Sequence, residues 1–193
     1  RRFPSASAVE SWAEQVPDSF RFVLKARQTI THFRRLQNAE AQIDDFINLA
    51  SLLKERQGPL LFQLPPNFKK DMPRLEAFLN YVRGRAAIVL ELQHESWHDD
   101  EVYESLRAHS AGLCSVDDDG PACDRVVATT NWGFVRLREE RYADARLKKW
   151  IERIVAQSWN EVYVFFKHED VGAGPKLAAR FLKLAGRQPI SGS

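Results

Sequence analysis

Short apolar runs alternate with longer stretches whose apolar residues recur at helical spacing, and the alternation persists along the whole chain. The runs are FRFVLK at 20–25, LLFQL at 60–64, IVLEL at 88–92, GLCSVD at 112–117, GFVRL at 133–137 and VYVFF at 162–166. Runs this short and this apolar read as strands covered on both faces. Strand and helix in alternation give a parallel sheet with helical crossovers. The fold class expected is therefore α/β, a TIM-like β/α barrel. No glycine-rich dinucleotide fingerprint follows the first run, which removes the main argument for a doubly wound sheet.

The intervening segments carry helix signals. Ser7 and Glu10 have the spacing of a capping box, with Val9, Trp12, Ala13 and Val16 on one face. A helix over 42–54 follows, with Ile43, Phe46, Ile47, Ala50 and Leu53 inward and Gly58-Pro59 as its stop. Asp71 caps the next, with Pro73 in its first turn and Leu75, Phe78, Leu79 and Val82 on its face. Helices over about 99–110, around Leu147 to Val155 and after Gly172, Gly174 and Pro175 complete the pattern. Six strands fall short of the eight of a full barrel, and open parallel edges are a liability. One or two β/α units are accordingly expected ahead of Arg1. Residues 1–193 read as one domain, with about 187–193 as a C-terminal tail.

Composition narrows the function classes. Lys and Arg total 28 against 26 Asp and Glu, a net charge of +2, which argues against a polybasic nucleic-acid binder. No apolar stretch approaches the roughly 18 residues of a membrane span, and no signal peptide opens the chain. Cys114 and Cys123 are too few for a disulfide framework, and Cys114 sits in an apolar run as a small core hydrophobe. A cytoplasmic protein with no membrane partner is expected; nothing indicates an oligomeric state.

Ionisable groups gather where the runs end, the place at which parallel α/β proteins build sites. Glu91, followed by Gln93 and His94, is the leading candidate, with Glu91 and His94 in catalytic roles. A carboxylate there orients a cation, binds a metal or acts as a base; the alternative is a salt bridge to an arginine such as Arg136. Lys25, His32, Gln63, Trp97, Asp117, Arg136, Arg138, Lys167 and His168 are the candidate substrate-binding residues. The basic members give the strand ends a cationic character suited to an anion. Trp97 and Trp132 read as loop rings able to stack on a base or sugar, whereas Trp12, Trp150 and Trp159 read as helix packing. Asp117 is the one of Asp117, Asp118 and Asp119 expected to face the barrel mouth. A divalent metal would need His32, His94, His168, Glu91 and Asp117 to converge from separate strands, and no short ligand spacing indicates one.

The segments KARQTITH, LLFQLPPNF, VLELQHESW, WGFVRLR and VYVFF, in that order, resemble the YecE-like family, a bacterial and archaeal domain of unknown function. The resemblance covers nearly the whole chain, and it implies a β/α barrel with a strand, a helix and a second strand ahead of this sequence. Its pattern falls on Lys25, Thr31, His32, Gln63, Pro65, Pro66, Glu91, Ser96, Trp97 and Arg136. Three places depart from it. Gln93 stands where the family usually has arginine, and Arg136-Leu137-Arg138-Glu139 replaces arginine-x-histidine-glycine. Lys167-His168 replaces paired asparagines. Two functions follow as expectations: a hydrolase-like enzyme acting on a phosphorylated or nucleotide-like anion at the barrel mouth, or a non-catalytic module binding nucleic acid or a small anion.

Overall fold

A computed structural model describes residues 4–117, 125–166 and 172–186. The chain divides into two compact units, Arg1–Ala111 and Gly112–Ser193. The first holds α1 (Ala6–Glu14), β1 (Phe22–Lys25), α2 (Glu40–Ser51), β2 (Gln57–Gln63), α3 (Met72–Val82), β3 (Ile88–Glu91) and α4 (Asp100–Ala108). The second holds β4 (Gly112–Val116), β5 (Trp132–Leu137), α5 (Asp144–Val155), β6 (Glu161–Phe166) and α6 (Ala173–Leu184). Each expected run is a strand. In the first unit β1, β2 and β3 pair in parallel and in sequence order; in the second, β4, β5 and β6 do the same.

Strand parity and helix packing decide which side chains face where. In the first unit, Phe62 on β2 meets Phe46 of α2 and Phe78 of α3 edge-on, with centroids 5.7 and 4.9 Å away. Phe22 and Leu24 pack against Val9, Ala13 and Leu53. Side chains alternate along a strand. Lys25, Gln63 and Glu91 therefore lie on the side of the sheet away from these helices. In the second unit, Val135 and Leu137 join Leu147, Trp150 and Phe181 on the helical side. Phe134 and Arg136 take the other side, where Phe134 stacks with Tyr163 and Phe165 at 6.3 and 5.2 Å. Trp150 is fully buried, and burial of a large apolar side chain contributes about 1.5–3 kcal/mol.

Several local expectations are corrected. The cap of α1 is Ser5, whose hydroxyl accepts from the Ala8 amide at 3.2 Å, not Ser7. Trp12 is 37% exposed and stacks on Phe22, so it covers the edge of the packing and does not fill it. Gly58-Pro59 does not end a helix; it lies inside β2, where the register with β1 slips between Phe22 and Leu24. Such an irregularity is where a strand tolerates proline, and a Cβ on Gly58 would come within 3.0 Å of the Phe22 carbonyl oxygen. Trp132 opens β5 and lies over Gly112, placing it at the amino end of the strand, away from any site at the carboxyl ends. Trp159 sits between α5 and β6 and covers Gly133, where an added Cβ would meet its ring at 2.2 Å. Cys114 is a buried free thiol, as expected; Cys123 lies outside the described residues.

Candidate functional site

At the carboxyl ends of β1, β2 and β3, polar side chains cross the sheet in a line. Gln63 and Glu91 are in register on neighbouring strands. Gln63 donates from Nε2 to Glu91 Oε1 at 2.7 Å, and Gln93 donates from Nε2 to the same oxygen at 2.9 Å. Lys25 donates from Nζ to Gln63 Oε1 at 3.2 Å. The charges at the two ends settle the orientation of the Gln63 amide. An ammonium only donates and a carboxylate only accepts, so the oxygen must face Lys25 and the nitrogen Glu91. Glu91 is 1% exposed while Lys25 is exposed. The acid of this line is thus covered and its cation meets solvent. Among the described residues of the first unit, this is the polar group that strand parity sets on the side opposite the helices.

The turn after β1 is a π-helical turn over Thr29–Phe33, closed by the Arg34 amide donating to the Thr29 carbonyl at 3.2 Å. Thr31 is buried, and its hydroxyl lies 2.9 Å from His32 Nδ1. Partial burial, and then the positive charge of Lys25, hold the His32 pKa below its ordinary 6.5, so the imidazole is neutral at pH 7. Phe33, 78% exposed, is the open aromatic ring of this turn.

Trp97 does not serve as that ring. It is 1% exposed, donates from Nε1 to the Phe68 carbonyl at 2.7 Å, and meets the Phe68 ring edge-on at 5.5 Å. The expected stacking role is corrected: an indole closed in on this scale has no free face. It joins the loop after β2 to the short 3-10 helix Glu95–Trp97. Lys70 fastens the same two segments, with its amide donating to Ser96 Oγ at 2.8 Å and its ammonium donating to Asp99 and to Glu101. His94 caps the 3-10 helix, its Nδ1 accepting from the Ser96 amide at 3.1 Å. His109 ends α4, with Nδ1 bonded to the Ser105 carbonyl.

In the second unit Asp117 is buried, and it does not face the side away from the helices. Val116 pairs with Arg136, so parity turns Asp117 toward the helical side with Leu137. There its Oδ1 accepts from the Arg138 amide at 2.6 Å and its Oδ2 accepts from the Tyr142 hydroxyl. Both oxygens tie the end of β4 to the segment after β5. Burial, then the hydrogen bond to Asp117, push the Tyr142 pKa far above its ordinary value. Arg136 and Arg138 are partly exposed at the carboxyl end of β5. Lys167 and His168 lie outside the described residues.

Two clefts lie elsewhere and are walled by helices. One, of about 350 Å³, lies between α2 and α3 beside Asn38, Asp71 and Arg74. The other, of about 780 Å³, is an apolar groove over β6 between α5 and α6. Neither includes Lys25, Gln63 or Glu91, so cavity size and chemistry point to different places. No three or more His, Cys, Asp or Glu side chains gather as a metal ion would require, among the described residues. None of the described helices is long and apolar enough to cross a membrane.

Gln93, in the sequence only a departure from the family pattern, is a hydrogen-bond partner of Glu91. The signal was its spacing of two, which returns an extended chain to the same face. Tyr142 was also missed, and nothing local in the sequence marks it as the partner of Asp117.

A family model described as "Protein of unknown function DUF72" matches residues 2–191. The UPF0759 protein YunF of Bacillus subtilis (strain 168) is 25% identical over an alignment of 175 residues that covers 82% of this chain and 61% of that protein. The chain thus spans about three-fifths of the length of that curated relative. Among crystal structures, a DUF72 family protein of Thermotoga maritima MSB8 superposes with a TM-score of 0.79 at 24% identity, over 96% of this chain and 81% of that one. Another, from Enterococcus faecalis V583, gives 0.84 at 18% identity, over 100% and 83%. At such identities the likeness shows a shared α/β fold. The YecE-like resemblance is to the same family under another name.

Proposed function

The chain belongs to the DUF72 family, and for this member we propose that the carboxyl ends of β1, β2 and β3 hold a small anionic ligand, phosphorylated or nucleotide-like. The single observation that carries this reading is the oriented line Lys25–Gln63–Glu91. Its carboxylate is buried and accepts two amide hydrogen bonds on one oxygen, while its exposed end is an ammonium. Solvent therefore meets the positive charge, and the negative one serves to position it. His32, neutral near Lys25, offers such an anion no charge of its own, so Lys25 is the cation of this turn that the reading relies on. Taken by itself, the second unit offers Arg136 and Arg138, at the carboxyl end of β5, as its own candidates for anion contact. The six parallel strands are read as part of a TIM-like barrel, a fold whose enzymes carry their sites at these strand ends.

The second reading is hydrolysis of such a ligand with Glu91 and His94 in acid–base roles, favoured by their position at one strand end. A non-catalytic module that binds nucleic acid is the remaining alternative. Titrating inorganic phosphate, a nucleoside monophosphate and a short oligonucleotide at two salt concentrations separates them. A small-anion site binds the first two with affinity that weakens modestly as salt rises. A nucleic-acid module binds the oligonucleotide best, with a steep salt slope. Release of phosphate from the nucleotide, abolished by Glu91→Gln, marks the enzyme. Absence of binding by all three at millimolar concentration refutes the anion reading.

A further inference from the structure

We infer that His94 is a hydrogen-bond donor locked in one tautomer, with its proton on Nε2 and that nitrogen presented to an acceptor oxygen of the ligand. The ligand half of this inference rests on the anion reading above; the tautomer half does not. Nδ1 fixes the tautomer. It lies 3.1 Å from the Ser96 amide nitrogen and 2.9 Å from Ser96 Oγ. The amide can only donate, so Nδ1 must accept and carries no proton. The hydroxyl is settled by its other neighbour. Ser96 Oγ accepts from the Lys70 amide at 2.8 Å, which leaves its single proton free to point at Nδ1. Both contacts therefore require a bare Nδ1, and the neutral ring must hold its proton on Nε2. Nε2 has no hydrogen-bond partner among the described residues, and the side chain is partly exposed.

The lock is built from two segments. The loop after β2 supplies the Lys70 amide and the 3-10 helix supplies Ser96. Trp97, through its bond to the Phe68 carbonyl, holds the two together. Ser96 and Lys70 are in this sense positioning residues. A ring so held cannot take a proton at Nε2 without first giving one up, so at this atom it offers a donor and not a base. For the two candidates of the hydrolytic reading, this assigns the donor part to His94 and leaves any base role to Glu91.

Two substitutions divide the ring's two ends. In His94→Asn the side-chain oxygen occupies the place of Nδ1 and asparagine is a good cap, so the cap survives and the distal donor is lost. In His94→Gln the amide reaches the place of Nε2, so the donor survives and the cap is lost. The thermal midpoint of His94→Asn is expected to stay near wild type while its affinity for inorganic phosphate falls roughly tenfold, as for a hydrogen bond to a charged group. His94→Gln is expected to melt earlier and to retain most of the affinity. Long-range proton–nitrogen spectra of the wild type should show His94 with a protonated Nε2 and a bare Nδ1, and Ser96→Ala, which removes the hydroxyl but keeps the amide donor, should retain that tautomer. A protonated Nδ1 in the wild type overturns the lock. His94→Asn binding phosphate as tightly as wild type overturns the ligand role and leaves His94 a cap. If wild type binds no phosphate, the anion reading and the ligand role fall together, and the spectra alone decide the lock.

Discussion

Gln63 hands a hydrogen bond from Nε2 to Glu91 Oε1 across two strands in register, at 2.7 Å. The pair explains why each is polar inside an otherwise apolar strand. A buried carboxylate is tolerated only when it is hydrogen-bonded, and the amide is the group that can serve Glu91 on one side and the Lys25 ammonium on the other.

Gln63→Leu keeps the volume and removes a donor from a carboxylate that is 1% exposed. Leaving a buried charged group short of a partner costs about 1.5–3 kcal/mol, which should appear as an earlier urea midpoint. Gln63→Glu should be worse, since it sets a second carboxylate against the first. An unchanged midpoint for both would mean that the line contributes nothing to folding.

Trp97→Phe removes the indole N–H and leaves the Phe68 carbonyl without that donor. A loss of about 1–3 kcal/mol is expected for an orphaned buried group, read by chemical denaturation. Because the ring is buried and not a stacking platform, affinity for any nucleotide should fall no further than the lost stability explains.

Much of the fold was legible because periodicity is local. The six apolar runs are strands, and Asp71, Leu75, Phe78 and Leu79 sit where helical spacing placed them. Trp97 was not legible. It follows a polar stretch, and its partner, Phe68, is 29 residues away. Asp117 misled for a different reason: its side of the sheet follows from the register of Val116 with Arg136, which no single strand reveals. Gly58-Pro59 misled because a break signal and a strand irregularity use the same residues. Lys25, Gln63 and Glu91 were readable as strand-end polar groups; that they form one line was not.

Gly133→Ala tests the packing of the second unit. Its new methyl group would lie 2.2 Å from the Trp159 ring, so the indole must move. Overpacking of this kind costs about 1–3 kcal/mol. Gly84→Ala is the contrasting control: nothing lies within 4 Å of a Cβ there, and its cost comes only from a φ of 71°.

Tyr142 predicts the alkaline limb of the stability curve. Its pKa is raised above the ordinary 10.0 by burial first and by Asp117 second. Above pH 10 the unfolded chain releases this proton while the folded chain keeps it. The stability tied to the raised value is therefore complete below pH 10 and drains away as pH climbs beyond it. Tyr142→Phe should lower stability at pH 7 and flatten the fall above pH 10, as denaturation midpoints taken across that range would show. An identical slope in wild type and variant would contradict the Asp117–Tyr142 bond.

Calorimetric titration of inorganic phosphate into the wild type and Lys25→Ala, at low and moderate salt, tests the central claim most directly. The wild type should bind at millimolar concentration or better, more weakly as salt rises, and Lys25→Ala should lose roughly tenfold or more, as for a hydrogen bond to a charged group. Equal binding by both proteins, or none by the wild type, would contradict the assignment of the Lys25–Gln63–Glu91 line to an anion.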